Sequence, residues 1–442
     1  MSEKIPSGRS RNFYAYVIPS IGSMLVTSLY VVVDGIFVGQ GIGTNALAAI
    51  NIAGPYIMAI IAVSMMITVG GATMCGINLG KKDVKTANTF FMTSMKLIIG
   101  LSLTVTVLSF LFPMQIARLF GASDLLVVDT AIYLKYFVLF GIFFCSAMAL
   151  AAFVRNDGDP RLAFWGMISG GIANIFLDWL FIFPLHMGIV GPAIASGLGQ
   201  TLSCLVLLTH FWRKKGVLRV TKQPFVGADV HEIVKRGTPE FMNQLFQPIT
   251  VLCYNLLALH FFGEIGVAAF SVVYYVLTIT VSVFIGLSQG VQPLISRSFG
   301  EENHADERYY FLKGMALNVV LALVVYVAMF IFGKPVITLF NSDADLVRIG
   351  YDCIRVYGIS FMLTAVNIVA ITYFTSTKRT AKAFSISALR CLIYIPVCVF
   401  ALPALLGEAA VWTGITVAEA LSMVIVGGML VHEKKNLPVS VE

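Results

Sequence analysis

Residues 43–49 read Gly-Thr-Asn-Ala-Leu-Ala-Ala, and residues 263–269 read Gly-Glu-Ile-Gly-Val-Ala-Ala. Gly43 and the Ala48-Ala49 pair thus return 220 positions later as Gly263 and Ala268-Ala269. The same offset carries Pro19 to Pro239, Gly70 to Gly290, Gly80 to Gly300, Leu119-Phe120 to Leu339-Phe340 and Ala163-Phe164 to Ala383-Phe384, with no gap over about 145 residues. Two copies of one unit in a single membrane chain are a common plan for transporters, with the ligand site between the copies.

The composition says which solvent the copies face. Of 442 residues, 58% are hydrophobic and only 12% charged, and the mean hydropathy is +0.87. A soluble domain carries about 25% charged residues. A bilayer crossing needs about 20 apolar residues. Twelve such runs can be counted, near 13–38, 46–70, 88–112, 128–153, 161–183, 188–211, 237–261, 266–290, 310–332, 347–374, 381–402 and 409–431. The expected fold is an all-α membrane protein with twelve transmembrane helices in two pseudo-symmetric six-helix lobes. The first run contains Pro19 and no small-residue cleavage site follows it, so it reads as a span and not as a signal peptide.

The net charge of +7 is a topology signal here and not a nucleic-acid footprint. With the N-terminus inside, 23 of the 30 Lys and Arg fall on the inner side. They include Lys4, Arg9 and Arg11 at the start, Lys81, Lys82 and Lys85 after span 2, and Lys434 and Lys435 at the end. Both termini are expected in the cytoplasm, and the protein in the plasma membrane of the cell. The longest polar stretch, 212–236, carries seven basic residues and is broken by Pro224 and Gly227. It divides the chain into an N-terminal lobe (1–211), a cytoplasmic linker (212–236) with a short surface helix around Gly227–Arg236, and a C-terminal lobe with a short tail (237–442).

Seven cysteines lie in or beside apolar runs, without a CxxC pair or a Cys/His cluster. They read as small buried residues. Six dispersed histidines, with no HExxH and no GxSxG, give no basis for an enzyme. Pro19 and Pro239 sit one to two turns into spans 1 and 7, where a proline removes a backbone hydrogen bond and bends a helix. They are candidate hinges. Pairs such as Gly166/Gly170, Gly76/Gly80 and Gly286/Gly290 allow close helix packing.

Ionisable groups inside the membrane are costly, which makes each a functional candidate. Asp34 lies in span 1 and Asp178 in span 5. Asn174 stands four residues before Asp178 and shares its helical face, as Ser196 does with Gln200 in span 6 and Tyr30 with Asp34 in span 1. If spans 1, 5 and 6 meet, these groups make one polar pocket. Two close carboxylates in a low-dielectric site cannot both stay ionised cheaply, so one can hold a proton. Alternatively their oxygens surround a hard cation such as Na⁺.

Pro19, the stretch Tyr30-Val-Val-Val-Asp34-Gly-Ile-Phe-Val-Gly39, Ala46-Leu-Ala-Ala49, Gly70-Gly71 and Leu79-Gly80 resemble the multidrug and toxic compound extrusion (MATE) family, in its DinF-like and MepA-like branch. So do Arg155-Asn-Asp-Gly-Asp-Pro160-Arg161, Asn174-Ile-Phe-Leu-Asp178 and Met187-Gly-Ile-Val-Gly-Pro-Ala-Ile-Ala-Ser196. The likeness covers nearly the whole chain. It implies an antiporter that exports small organic cations against H⁺ or Na⁺, through a V-shaped cavity opening alternately to each side. It also implies that Asp34 and Asp178 carry the coupling, with Asn174 at a cation-site position and Ser196 where several members have Thr. Asp34, Asn174, Asp178 and Ser196 form the candidate Na⁺ set. No cofactor beyond the coupling ion and no nucleic-acid partner is expected, and a monomer is the expected state in the lipid bilayer.

Further candidates for the cavity or coupling are Tyr30, Gln200, Gln247, Glu419 and Arg390. Gln247 is the residue nearest to where some members carry an acid in span 7. Arg390 in span 11 and Glu419 in span 12 lie at similar depth, so an ion pair between them is expected. Lys135 and Arg355, also 220 apart, are expected to snorkel to the interface, and Glu240 to be solvated. The alternative function is a flippase for lipid-linked oligosaccharides of the same superfamily. That function wants several cations for a pyrophosphate, whereas the central spans offer Lys96, Arg390 and the pair Lys135/Arg355.

Overall fold

The computed structural model describes residues 7–221, 225–340 and 343–436, so Lys4 and, in the linker, Lys222 and Pro224 lie outside the described residues. Every regular element among the described residues is helical. The first copy comprises α1 (Ser7–Gly41), α2 (Thr44–Gly80), α3 (Val84–Leu111), the short α4 (Pro113–Leu119), α5 (Val127–Leu139), α6 (Gly141–Asn156), α7 (Pro160–Ile182) and α8 (Val190–Trp212). The second comprises α9 (Gly227–Gln244), α10 (Phe246–Gly300), α11 (His304–Phe340), α12 (Ala344–Tyr357), α13 (Ser360–Ser376), α14 (Thr380–Ala388), a π-helical turn at Leu389–Tyr394, α15 (Ile395–Leu406) and α16 (Gly414–Asn436).

Twelve crossings follow from these elements. Nine described helical stretches are long and apolar enough to span a bilayer. One of them, Gly227–Gly300, has 74 residues and holds two crossings, because Gly263 breaks it at φ 65°, ψ −155°. Its repeat mate Gly43 separates α1 from α2 at φ 119°. The two glycines of the opening stretch are therefore the turns between the first two spans of each copy, in backbone conformations that favour glycine. The last two crossings are bent pairs: α5 with α6 at 52°, and α12 with α13 at 47°. The runs 128–153 and 347–374 are thus broken helices rather than straight ones, and both breaks fall at equivalent places in the repeat. At the first break the Phe140 ring occupies the space that a side chain on Gly197 would need.

The described chain packs as two compact units. One is Met1–Phe241 with Gln289–Glu307, and the other is Met242–Ser288 with Arg308–Glu442. Within the first unit the repeated glycines meet. A Cβ on Gly80 would lie 3.0 Å from Gly300 Cα, and one on Gly300 would run into the Ile77 carbonyl. A Cβ on Gly70 would run into the Ile233 carbonyl and lie 3.0 Å from Gly237 N, and one on Gly290 would lie 2.7 Å from Val17 Cα. Val17 and Gly237 are themselves 220 apart, so the contacts obey the symmetry of the sequence.

The stretch 155–161 shows how the linker is fastened. Arg155 Nη2 donates to Gln289 Oε1 at 3.0 Å. Asp157, its side chain fully buried, accepts from the backbone N–H of Val217 at 2.8 Å and of Leu218 at 3.1 Å, and faces His210 Nε2 at 2.8 Å. Asp159 caps α7 by accepting from Leu162 N at 3.0 Å, and Pro160 fills the first helical position, where its missing N–H costs nothing. Asn88 Oδ1 accepts from Arg219 N at 2.6 Å. The linker's first residues are therefore tied down, and the expected surface helix is the start of α9. Asp83 caps α3 through Thr86 N at 3.0 Å, and the Thr86 donors hold its carboxyl below the usual carboxylate range.

Candidate functional site

The site is built on α1, α7 and α8, which approach closely because glycines remove the side chains between them. A Cβ on Gly170 would run into Ser203 Oγ and lie 2.5 Å from the Gly199 carbonyl; one on Gly199 would lie 2.7 Å from the Gly170 carbonyl. On the other face of α7, a Cβ on Gly171 would lie 3.0 Å from Val26 of α1, and one on Gly22 would lie 2.6 Å from Phe164. Backbones this close bring the polar residues one turn away into contact. Asn174 Nδ2 donates to Ser196 Oγ at 3.2 Å, and Gln200 Nε2 donates to Tyr30 Oη at 3.4 Å. The carboxyl groups of Asp34 and Asp178 lie within direct electrostatic reach of each other.

Burial makes this cluster chemically demanding. Asp178, Asn174 and Gln200 are 1%, 2% and 6% exposed. Both oxygens of Asp178, Oδ1 of Asp34, Oδ1 of Asn174 and Oε1 of Gln200 are buried and accept no hydrogen bond. Two carboxylates have no donor between them, so they can bond to each other only when a proton joins them. Each buried acceptor left unsatisfied costs about 1–3 kcal/mol, more when it is charged. Five such oxygens make a pocket that attracts positive charge in compact form, either a proton shared by the carboxyls or a small oxygen-loving cation. Ser196, half-buried, adds a hydroxyl oxygen to the set.

All six residues read from the sequence as one pocket (Tyr30, Asp34, Asn174, Asp178, Ser196 and Gln200) are together in the first unit. Tyr133 of α5 joins them: it is 4% exposed and lies within electrostatic reach of Asp34, Asp178 and Tyr30. Sequence reasoning missed it, because a lone tyrosine in an aromatic-rich run has no spacing partner. Its only signal is a hydroxyl in an apolar span. Among the described residues no cluster of three or more His, Cys, Asp or Glu side chains can hold a metal ion.

The remaining candidates lie elsewhere. Arg390 Nη2 and Glu419 Oε1 meet at 2.6 Å in the second unit, 2% and 0% exposed. Gln247 is half-buried in the first turn of α10. Pro19 lies inside an unbroken α1 and Pro239 inside an unbroken α9. In α1, Ser23 Oγ donates to the Pro19 carbonyl at 2.9 Å, Thr27 Oγ1 to Ser23 O at 2.9 Å and Ser28 Oγ to Met24 O at 3.0 Å. Back-bonding of this kind weakens the ladder just beyond the proline. Arg355 is half-exposed, 3.9 Å from Asp352, and Lys135 is half-buried. Glu240, expected in solvent, is half-buried, since it lies inside α9 beside the buried Pro239 and not at the helix end.

The MatE family model matches the chain twice, over residues 19–180 and 239–400, and the two matches are 220 positions apart. The chain belongs to the MatE family. Multidrug export protein MepA of Staphylococcus saprophyticus is 26% identical over 415 residues, covering 92% of this chain and 90% of that protein. MepA of Staphylococcus aureus is 25% identical over 411 residues, with the same shares covered. Among solved structures, the outward-facing conformation of a multidrug resistance MATE family transporter of the MOP superfamily aligns with TM-score 0.91 at 23% identity, covering 98% of this chain and 100% of that one. A MATE protein in complex with MaL6 aligns with TM-score 0.90 at 22% identity, covering 97% of each chain. The MatE fold therefore extends over the whole chain. The protein is a multi-pass membrane protein of the MATE multidrug efflux transporter family.

Proposed function

We propose that this MatE protein is a secondary antiporter that exports organic cations or drugs in exchange for H⁺ or Na⁺ by alternating access. The observation that carries the proposal is the pocket of Asp34, Asp178, Asn174 and Gln200, with five buried acceptor oxygens and no donor between its carboxyls. Positive charge entering this pocket relieves the desolvation cost of the carboxylates, and its departure restores that cost. A group whose free energy depends this strongly on occupancy can bias a conformational equilibrium. Spans 1, 5 and 6 meet at the pocket, so its occupancy is felt first by α1, where Pro19 and three back-bonded hydroxyls make the helix easiest to bend. The relatives named as multidrug export proteins support the export of drugs, and the excess of Lys and Arg on one side supports cytoplasmic termini. The chain works as a monomer in the plasma membrane, without a cofactor beyond the coupling ion and without nucleic acid.

The test is uptake of a fluorescent organic cation into proteoliposomes under an imposed pH gradient or an imposed Na⁺ gradient. Wild-type protein should respond to one of them, and Asp34→Asn and Asp178→Asn should each abolish the response. Gradient-driven uptake at the wild-type rate in both variants sinks the proposal. In the Na⁺ case Asp34, Asp178, Asn174 Oδ1 and Ser196 Oγ supply the oxygens; in the H⁺ case the two carboxyls share the proton. The family match and the named relatives do not favour the flippase reading.

A further inference from the structure

A second cluster of buried charge lies in the second unit, apart from the acidic pocket. Arg390 donates to Glu419 Oε1 twice, from Nε at 2.8 Å and from Nη2 at 2.6 Å. The other carboxylate oxygen, Oε2, accepts from Asn367 Nδ2 at 2.6 Å, and the same amide reaches the Glu419 carbonyl at 3.1 Å. Glu419 and Asn367 are both 0% exposed. One edge of the guanidinium is thus anchored to Glu419 of span 12, which Asn367 of span 10 holds in turn.

Its remaining contacts go to a single place in the chain. Arg390 Nη1 donates to Asn243 Oδ1 at 3.4 Å, and the guanidinium carbon lies 3.8 Å from the centre of the Phe246 ring. Asn243 is in the last turn of α9 and Phe246 is the first residue of α10. Between them Leu245 breaks the helix and bonds back only to Met242 O at 3.2 Å. Pro248 explains the break: it has no N–H to offer the Gln244 carbonyl, and its ring crowds that carbonyl. The break lies just beyond Phe241, where the chain first leaves one compact unit for the other. Arg390 itself stands on the π-helical turn Leu389–Tyr394, where Ile395 N bonds to Arg390 O one residue out of α register, directly before Pro396. Turns of this type are rare and cluster at functional places.

We infer that Arg390 is a positioning residue that clamps the span 7 break at Leu245, holding Asn243 and Phe246 on either side of it while Glu419, itself held by Asn367, holds Arg390. A helix already broken by proline bends easily at that point. A planar guanidinium hydrogen-bonded to one side and stacked on the other restricts the bend to one angle. Neither lysine nor an apolar residue makes both contacts. The clamp makes Leu245 a hinge with a defined rest angle inside span 7, and bending of span 7 strains or releases it.

The experiment places spin labels on either side of the break in the full chain, with Lys235→Cys and Leu259→Cys, reconstituted in lipid nanodiscs. Lys235 is exposed and Leu259 is 52% exposed, whereas all seven native cysteines are buried. In Arg390→Met/Glu419→Gln, which removes both charges together, the distance distribution should widen about twofold and transport should slow about tenfold. Asn243→Ala and Phe246→Leu leave the ion pair intact and should widen it in the same direction. Arg390→Lys should give an intermediate width. A wild-type distribution in the double variant overturns the inference, and so does a wild-type distribution in both Asn243→Ala and Phe246→Leu, since the ion pair then acts only within its own helices. The distance readout is independent of which ion drives transport.

Discussion

Asp34 and Tyr254 occupy the same place in the two copies, and their surroundings have opposite character. Around Asp34 the first copy gathers acceptors that nothing in the protein satisfies. Around Tyr254 the second copy packs aromatic rings and gives the hydroxyl a donor. The ring packs on Phe270 at 5.2 Å and Trp412 at 5.8 Å, and Tyr254 Oη accepts from Ile415 N at 2.9 Å, satisfying the first turn of α16. Asn174 corresponds to Tyr394, and Asp178 to the buried Cys398. Where the second copy buries charge, at Arg390 and Glu419, it supplies donors for both carboxylate oxygens. One scaffold thus holds a site whose carboxyl oxygens are unsatisfied and one whose carboxylate oxygens are both satisfied, the saturated one. On the proposed antiport reading, the unsatisfied site gains and loses a cation. The saturated one pays its desolvation cost within the fold and cannot exchange charge without breaking it.

The largest effect that can break this comparison is at Asp178. Asp178→Asn should reduce gradient-driven uptake at least about 100-fold, corresponding to a loss of about 3 kcal/mol of coupling, while Tyr254→Phe should leave the ion dependence unchanged. An altered ion preference in Tyr254→Phe, measured in the same vesicles, ends the division of labour between the copies. Next come the single changes at the ion pair. Arg390→Met alone leaves Glu419 buried and uncompensated, and unfolding in detergent should show a loss of about 3–5 kcal/mol. The double change Arg390→Met/Glu419→Gln should recover most of that loss, whereas no second change at Asp34 should restore uptake to Asp178→Asn. Gly80→Ala probes the contact that the copies share, because its Cβ meets the backbone of the Arg297–Gly300 turn; a cost of about 1–3 kcal/mol is expected in the same assay.

The smallest effect is at Asp83. Its carboxyl is held below the usual range, so its contribution to stability is complete above the ordinary aspartate value of about 3.9 and disappears as pH falls through the lower folded value. Asp83→Asn should keep the cap but remove that acid dependence, and Asp83→Ala should cost about 1 kcal/mol at neutral pH. Unfolding curves collected between acid and neutral pH distinguish the two.

The helical crossings were legible because lipid demands long apolar runs and little else. The pocket was legible because polar side chains inside such runs are few, and a spacing of four residues places Asn174 with Asp178 and Ser196 with Gln200. What escaped was local geometry. The bends at Phe140 and near Gly358 lie within runs that each pass as a single span by length and average hydropathy, so hydropathy passes over them. The break in span 7 comes at Leu245, set by Pro248 rather than by Pro239, since a proline's effect depends on whether neighbouring groups replace the lost bond. The partners of Arg390 on span 7 depend on a guanidinium reaching across helices, which no spacing along one helix encodes.

The pairing of two carboxyls in one pocket also fixes what the membrane voltage can contribute. If a single proton or Na⁺ serves both carboxyls, exchange for a monovalent drug moves no net charge, and the electrical potential does no work on it. If each carboxyl takes its own ion, every cycle carries one extra charge inward. Each such charge is worth about 2.3 kcal/mol per 100 mV, enough to raise the attainable drug gradient about fifty-fold. On the proposed antiport reading, the number of ions that Asp34 and Asp178 hold together therefore decides whether export runs on a chemical gradient alone or is also driven by voltage.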